Sequence, residues 1–270
     1  LHRSDIQRLF GGYVTQYCQV PPDHPKRGLW KPGQYTDDAS LMLRMARALV
    51  ETNGNLDLNT VAKHILEWSE EPEFAFAGPT TIAALAQLKQ GIEPAQAGKV
   101  GHGAAGTTNG AAMRVSPAGL ANPGNILQAS LDAITMALPT HNNQVALSGA
   151  CAIAAATCEA VSEKASVLSV VQAGLEGARI GEEKGKEIGR IAPGASVYKK
   201  IKLAVSLASW ADSFEDALVS IADCIGSGLP TCDSVPAAFG ILIAADGDPM
   251  KAIHGGVNIG SDTDTIATMA

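Results

Sequence analysis

Aromatic side chains are scarce: Phe, Tyr and Trp make up 4% of a 270-residue chain whose hydrophobic content is 46%. Its core must therefore be built mainly from Ala, Leu, Ile and Val, and Ala-rich segments favour helices that pack closely. Alternating β-branched and aromatic segments, the mark of half-buried strands, are hard to find. Positive charge is also short. Lys and Arg number 20 against 27 Asp and Glu, a formal net charge of −7, which argues against the clustered basic surface that nucleic-acid binding needs. Gly, polar and charged residues interrupt every apolar stretch before it could cross a bilayer, so no membrane partner is expected. The opening Leu1-His2-Arg3-Ser4-Asp5 is not a signal peptide. The five cysteines (Cys18, Cys151, Cys158, Cys224, Cys232) are odd in number and form no C-x-x-C pair. A reducing cytoplasm is the simplest compartment for them. Cys151 and Cys158, seven residues apart, share a helical face and read as core; none of the five reads as a nucleophile or zinc ligand.

Helical periodicity runs through most of the chain. The apolar spacing predicts helices near 37–51, 58–68, 79–90, 125–138, 143–162, 166–181, 197–209, 213–225, 234–245 and 248–257. The fold expected is all-α: a single compact domain over residues 1–270, made of many short, orthogonally packed helices. The chain begins without Met, and Ile266–Ala270 is apolar helix sequence without a stop signal, so both ends are expected to be trimmed. Residues 11–35 hold Gly11-Gly12, Pro21-Pro22, Pro25 and Pro32-Gly33 and read as a long loop. The charged stretch Glu182–Glu187 reads as a solvated turn or helix end. Nothing in the residues selects an oligomeric state.

Two acidic patches stand at opposite ends of the chain, Tyr35-Thr36-Asp37-Asp38 and Gly260-Ser261-Asp262-Thr263-Asp264-Thr265. Each precedes a helix-like apolar run. Taken singly, either patch suits a helix start, because Thr and Asp are good N-caps and acids in a first turn suit the helix dipole. Capping needs only one of the adjacent Asp37 and Asp38, however, and the D-T-D-T run holds more acceptors than one helix start can use. If the two ends meet, four carboxylates share one site and require a counter-charge. Carboxylate and hydroxyl oxygens suit Mg²⁺ or Mn²⁺, and no His/Cys cluster favours Zn²⁺. Between the patches lies a Gly-rich loop, Gly101-His102-Gly103-Ala104-Ala105-Gly106, leading to Thr108-Asn109-Gly110-Ala111-Ala112-Met113-Arg114. It is not a P-loop, since no G-K-[ST] follows. Taken by itself it reads as a plain connection or as a place where backbone N–H groups approach an anion. Arg114, one turn inside, reads as an anchor of its helix through a salt bridge.

These elements resemble the ADP-ribosylglycohydrolase family. Its T-D-D-T element reads here as Thr36-Asp37-Asp38-Ala39, its G-N-G-A-A-M-R element as Thr108–Arg114, and its G-G-D-T-D-T element as Gly260–Thr265, in the family's order. The resemblance implies two divalent cations, Mg²⁺ or Mn²⁺, on Thr36, Asp37, Asp38, Asp262, Asp264 and Thr265. It implies an ADP-ribose site lined by Gly106, Asn109 and Gly110, and a His141 that faces the ligand. It also implies hydrolysis of the bond between the distal ribose and an amino-acid side chain, with Asp37 or Asp38 as general base. The partner would be an ADP-ribosylated protein or a small ADP-ribosyl substrate. Some relatives carry an acid on a loop after the second helix that protonates the leaving group; the aligned position here is Phe76, with Glu73 nearby. That departure keeps open a non-catalytic ADP-ribose binder, and a metal-dependent hydrolase of another nucleotide-like substrate is the third reading. Ser234-Val235-Pro236-Ala237-Ala238 matches a family stretch near the pocket wall, or is a helix start with Ser as cap.

Overall fold

The computed structural model of the protein describes residues 1–24 and 31–270. Pro25 of the predicted loop lies outside those residues, while 11–24 and 31–35 carry no helix. The helices are α1 (Arg3–Phe10), α2 (Asp37–Glu51), α3 (Leu58–Trp68), α4 (Pro79–Lys89), α5 (Pro94–Ala97), α6 (Ser116–Leu120) and α7 (Ile126–Ala137). They continue with α8 (Gln144–Ala160), α9 (Val167–Ile188), α10 (Val197–Trp210), α11 (Phe214–Cys224), α12 (Thr231–Ala244), α13 (Pro249–Asn258) and α14 (Thr263–Met269). Short 3₁₀ turns cover Pro72–Phe76 and Ala112–Arg114. Among the described residues there is no strand, only two isolated bridges, Thr108 with Pro230 and Asn143 with Arg190. The all-α expectation holds, and no helix among the described residues is long and apolar enough to cross a membrane.

Small residues set the packing. On α9 a row of glycines, Gly174, Gly177, Gly181 and Gly185, is buried, and the spacing of three and four places it on one face. A Cβ on Gly177 would lie 2.2 Å from the Cys151 carbonyl oxygen, and one on Gly181 would lie 2.3 Å from that of Leu147. Side chains of any size would separate α8 and α9. Their absence lets the buried Ala, Cys and Leu of α8 meet the α9 backbone directly. The core runs from Leu41 and Met45 through Trp68, Leu147 and Ile153 to Val235 and Phe239, and a second apolar cluster joins α10 to α14. Cys151 and Cys158 are buried free thiols, as their spacing suggests.

The glycines also explain a correction. The sequence reading ends a helix at 181, whereas α9 runs to Ile188. Gly181 and Gly185 look like stop signals but serve interhelical contact. Glu182–Glu187 therefore forms exposed helix turns, with Lys186–Glu182, Lys184–Glu187 and Arg179–Glu183 ion pairs on the surface. Helix α12 begins at Thr231 rather than 234, so Ser234 and Pro236 sit inside it. Helix α1 was not anticipated: its eight residues are capped by His2 and bury only Ile6, too little periodic apolar signal to read.

Candidate active site

Among the described residues eight helices start with a side chain accepting backbone N–H bonds: His2, Asp57, Asn125, Asn143, Ser166, Ser196, Ser213 and Asp248 all do so. The starts of α2 and α14 do not. Thr36 and Asp262 occupy the N-cap positions, and neither side chain makes a cap hydrogen bond. The Thr36 hydroxyl instead donates to Asp38 Oδ2 at 2.9 Å and lies 3.4 Å from Asp264 Oδ2. Those residues are 228 positions apart in sequence. The two acidic helix starts thus face each other, and their polar side chains point into a shared space instead of closing their own helices.

That space is a cavity of about 260 Å³, walled by Thr36, Asp37, Asp38, Asp262, Asp264 and Thr265 on one side. Thr108, Asn109, Gly110 and the 75–78 segment form other parts of its wall. Backbone geometry fixes each contributor. Ser40 on α2 donates to the Thr36 carbonyl at 3.1 Å and accepts from Trp68 Nε1 at 2.9 Å, tying the start of α2 to the core. Asp262 N–H donates to the Ser227 carbonyl at 3.0 Å. Ser261 stands in left-handed backbone at φ 64°, where the resembled element has glycine. The Asn109 N–H donates to the Leu229 carbonyl at 3.0 Å, and the Thr231 N–H to that of Thr107 at 2.9 Å. These bonds lock the Thr108–Gly110 wall to the start of α12. Ser234 contributes here in a way its sequence context hides: buried in α12, its Oγ accepts from Asn109 Nδ2 at 3.0 Å. The same amide donates to Asp262 Oδ2 at 2.6 Å, which makes Asn109 a bridge between the wall and the acidic cluster.

The electrostatics call for a cation. Burial, then Asp264 and Asp262 nearby, push the Asp37 carboxyl up to about 7. Burial, followed by Asp264 and Asp37, pushes Asp38 well above the usual carboxylate range, although Thr36 and Thr265 hydrogen-bond it. Asp262 is raised as well, chiefly by burial, with Asn109 offsetting part of the effect. Asp38 Oδ1 is buried without a hydrogen-bond partner, a costly state for a carboxylate oxygen unless a positive charge reaches it. Among the described residues no three His, Cys, Asp or Glu side chains enclose one point by themselves. The donor set is thus a mixture of carboxylates and threonine hydroxyls. It fits hard divalent cations that retain several waters and does not fit a closed zinc cage.

Three expectations are altered by the geometry. His141 is fully buried and does not reach the cavity wall; its ring packs against Gly110, where a Cβ would lie 3.0 Å from Cε1. Gly106 also stays off the wall. It has φ +90°, a Cβ there would lie 2.5 Å from the Val100 carbonyl oxygen, and its own carbonyl accepts from Asn143 Nδ2 at 2.8 Å. The loop before it is held by Arg190, which donates to the carbonyls of Val100, Gly103 and Ala105. Arg114 pairs with no carboxylate among the described residues. Fully buried, it donates to the Met136 carbonyl at 2.8 Å and to Thr140 Oγ1 at 2.6 Å. Elsewhere in the lining Ala75, Phe76, Ala77 and Gly78 bring no carboxylate, and Glu73 is not part of it.

An all-α bundle in which two acidic helix starts meet at a cavity beside the Thr108–Gly110 segment fits a class of glycohydrolase. The ADP-ribosylglycohydrolase family model matches residues 1–270, and the chain belongs to that family, which generally depends on divalent metals. It is 31% identical over 274 residues to the Escherichia coli (strain K12) protein YegU, covering 99% of this chain and 78% of that protein. An Archaeoglobus fulgidus protein is 27% identical over 267 residues, covering 98% of this chain and 77% of its own length. Both relatives are described as uncharacterized, so neither points to a particular substrate.

Proposed function

We propose that the protein hydrolyses the glycosidic bond between the distal ribose of ADP-ribose and an amino-acid side chain, using two divalent cations, Mg²⁺ or Mn²⁺. The ligands would be Thr36, Asp37, Asp38, Asp262, Asp264 and Thr265. The observation that carries this reading is the pair of helix starts whose acidic side chains converge on one cavity and leave their own helices without a side-chain cap. When bound, the cations would neutralise the cluster and orient ribose hydroxyls and a water. Asp37, the less enclosed of the adjacent pair, would take the proton of the attacking water as general base. Asp38 is held by Thr36 and stays rigid. The carboxylates face the positive charge that develops at the anomeric carbon as the bond breaks. Asn109 keeps Asp262 in place and presents the wall along which the rest of the nucleotide lies.

The test is release of free ADP-ribose from arginine-linked and serine-linked ADP-ribosyl peptides, with Mg²⁺, Mn²⁺ or EDTA. Metal-dependent release from either peptide is expected, and the preferred acceptor follows from the comparison. Phosphate release without free ADP-ribose would replace this reading with a nucleotide phosphatase. One observation favours a second reading: the 75–78 segment of the lining carries no acid, so no side chain there can protonate a leaving group. A binder without turnover would show metal-dependent ADP-ribose affinity in calorimetry and no release from either peptide.

A stability prediction follows from the same cluster. A carboxyl raised in the folded state binds a proton that the unfolded chain has already lost, so unfolding releases it and stability falls as pH rises from about 4 towards the folded value, about 7 for Asp37. Cations that bind the ionised cluster offset this loss. The difference in Tm between Mg²⁺-loaded and EDTA-treated protein should therefore be small at pH 5 and grow by several degrees at pH 8. A difference that is flat with pH, or absent, in protein shown to hold metal would count against the cluster as the binding site.

A further inference from the structure

We propose that Thr108 is a specificity-determining residue of this cavity, its hydroxyl turned to donate to a substrate oxygen by a buried relay through Arg114, Thr140 and His141. The inference rests on the reading that the cavity takes an ADP-ribosyl group. Thr108 stands where the resembled G-N-G-A-A-M-R element has glycine, and it brings a hydroxyl to that position. It lines the cavity, and behind it lies a continuous line of polar groups. Arg114 Nη2 lies 2.6 Å from Thr140 Oγ1, Thr140 Oγ1 lies 2.8 Å from His141 Nδ1, and His141 Nε2 lies 2.9 Å from Thr108 Oγ1. Arg114, Thr140 and His141 are fully buried.

The direction of each bond follows from what each group can do. A guanidinium only donates, so Thr140 Oγ1 accepts from Arg114. The single Thr140 hydrogen has two acceptors, the Ala137 carbonyl at 3.5 Å and His141 Nδ1 at 2.8 Å. The shorter contact wins, since 3.5 Å is at the limit of a hydrogen bond. Nδ1 is then the acceptor nitrogen of a neutral ring, and Nε2 carries the hydrogen. Neutrality agrees with a ring whose proton affinity burial, and then Arg114, hold well below the ordinary histidine value. Nε2–H donates to Thr108 Oγ1, which leaves the Thr108 hydrogen to point away from the relay. Thr80 Oγ1, 2.9 Å away, accepts it here, and a substrate oxygen in the cavity is the competing acceptor. Bonds that all run one way polarise one another, which strengthens the last donor. His141 is a positioning residue in this arrangement: it acts through Thr108 and touches no ligand.

Two measurements decide it. Nitrogen-15 NMR of the wild-type histidine rings reports the tautomer without any substitution; His141 should be neutral with its hydrogen on Nε2. A ring protonated at Nδ1, or at both nitrogens, at pH 7 overturns the relay. Calorimetry with ADP-ribose, then with ADP, in the presence of Mg²⁺ compares wild type with Thr108→Val and Thr108→Ser. Loss of one hydrogen bond should weaken the valine variant by roughly 5- to 10-fold, with serine close to wild type. Weakening of both ligands places the accepted oxygen on a phosphate, and weakening of ADP-ribose alone places it on the distal ribose. Equal affinities for all three proteins overturn the assignment of Thr108. Absence of ADP-ribose binding in the wild type would instead remove the substrate reading, and the ring tautomer would still decide the relay.

Discussion

Asp38→Asn should lower turnover by roughly 10³-fold, the scale on which removal of one preorganised electrostatic group acts, while leaving the metal-free protein as stable as wild type or more so. The two effects have one cause. Asp38 is nearly enclosed, one carboxylate oxygen has no partner, and Asp37 and Asp264 stand close enough to raise its proton affinity. Without metal this residue is a cost to the fold. Asparagine has almost the same shape, still accepts from the Thr36 hydroxyl through its carbonyl oxygen, and presents an amide to the neighbouring carboxylates. It removes repulsion at the expense of a ligand, the trade commonly found where function needs strained or repelling groups. Thermal melts in EDTA should place the variant level with or above wild type. Addition of Mg²⁺ should raise the Tm of wild type and leave the variant nearly unmoved. A variant that keeps its Mg²⁺ response and most of its turnover would show that Asp38 is a structural residue of the α2 start.

The acidic patches were the most legible part of the site, because adjacent aspartates exceed what a helix start can use. The residues alone left open whether Thr36 and Asp262 cap their helices; in the fold neither side chain makes a cap bond. Helix positions were legible where apolar periodicity was strong, as in α2, α3 and α8. They failed where one residue type serves two purposes. Glycine ends helices and also lets them touch, so Gly181 and Gly185 concealed the end of α9. Proline opens helices and also tolerates an interior place near the start, so Pro236 moved the expected start of α12. The buried polar residues were the least legible. Arg114 looks like half of a salt bridge that anchors its helix, and Ser234 looks like a cap. Their partners, Thr140 and Asn109, are 26 and 125 residues away in sequence, a distance over which no local pattern speaks.

Gly181→Ala should cost about 2 kcal/mol of stability, although alanine is the better helix former by about 1 kcal/mol. Propensity and packing oppose each other at this position, and the geometry decides between them. The added methyl would lie 2.3 Å from the Leu147 carbonyl oxygen and 2.8 Å from Ser148 Cα, both backbone atoms of α8. No side-chain rotation relieves such contacts; one helix must move away from the other. That movement opens the best-buried seam of the molecule, in which Leu147, Cys151 and Ala155 lie against α9. For a domain of this size the loss corresponds to a fall in Tm of about 4–8 °C, and Gly181→Val, with a branched side chain in the same space, should fall further. Denaturant titration should show a lower midpoint with an unchanged slope. An unchanged or raised midpoint for Gly181→Ala would mean that α8 and α9 are held less closely than this packing requires. Gly185→Ala carries the same argument to the site. Its methyl would meet Gln144 Cα at 2.4 Å, at the end of α8 adjoining His141 and Asn143. Displacement there should loosen the hydrogen bond from His141 to Thr108 and the one from Asn143 to Gly106. Substrate affinity should therefore fall together with stability, whereas Gly174→Ala, which meets the Phe239 ring in the apolar core, should lower stability alone.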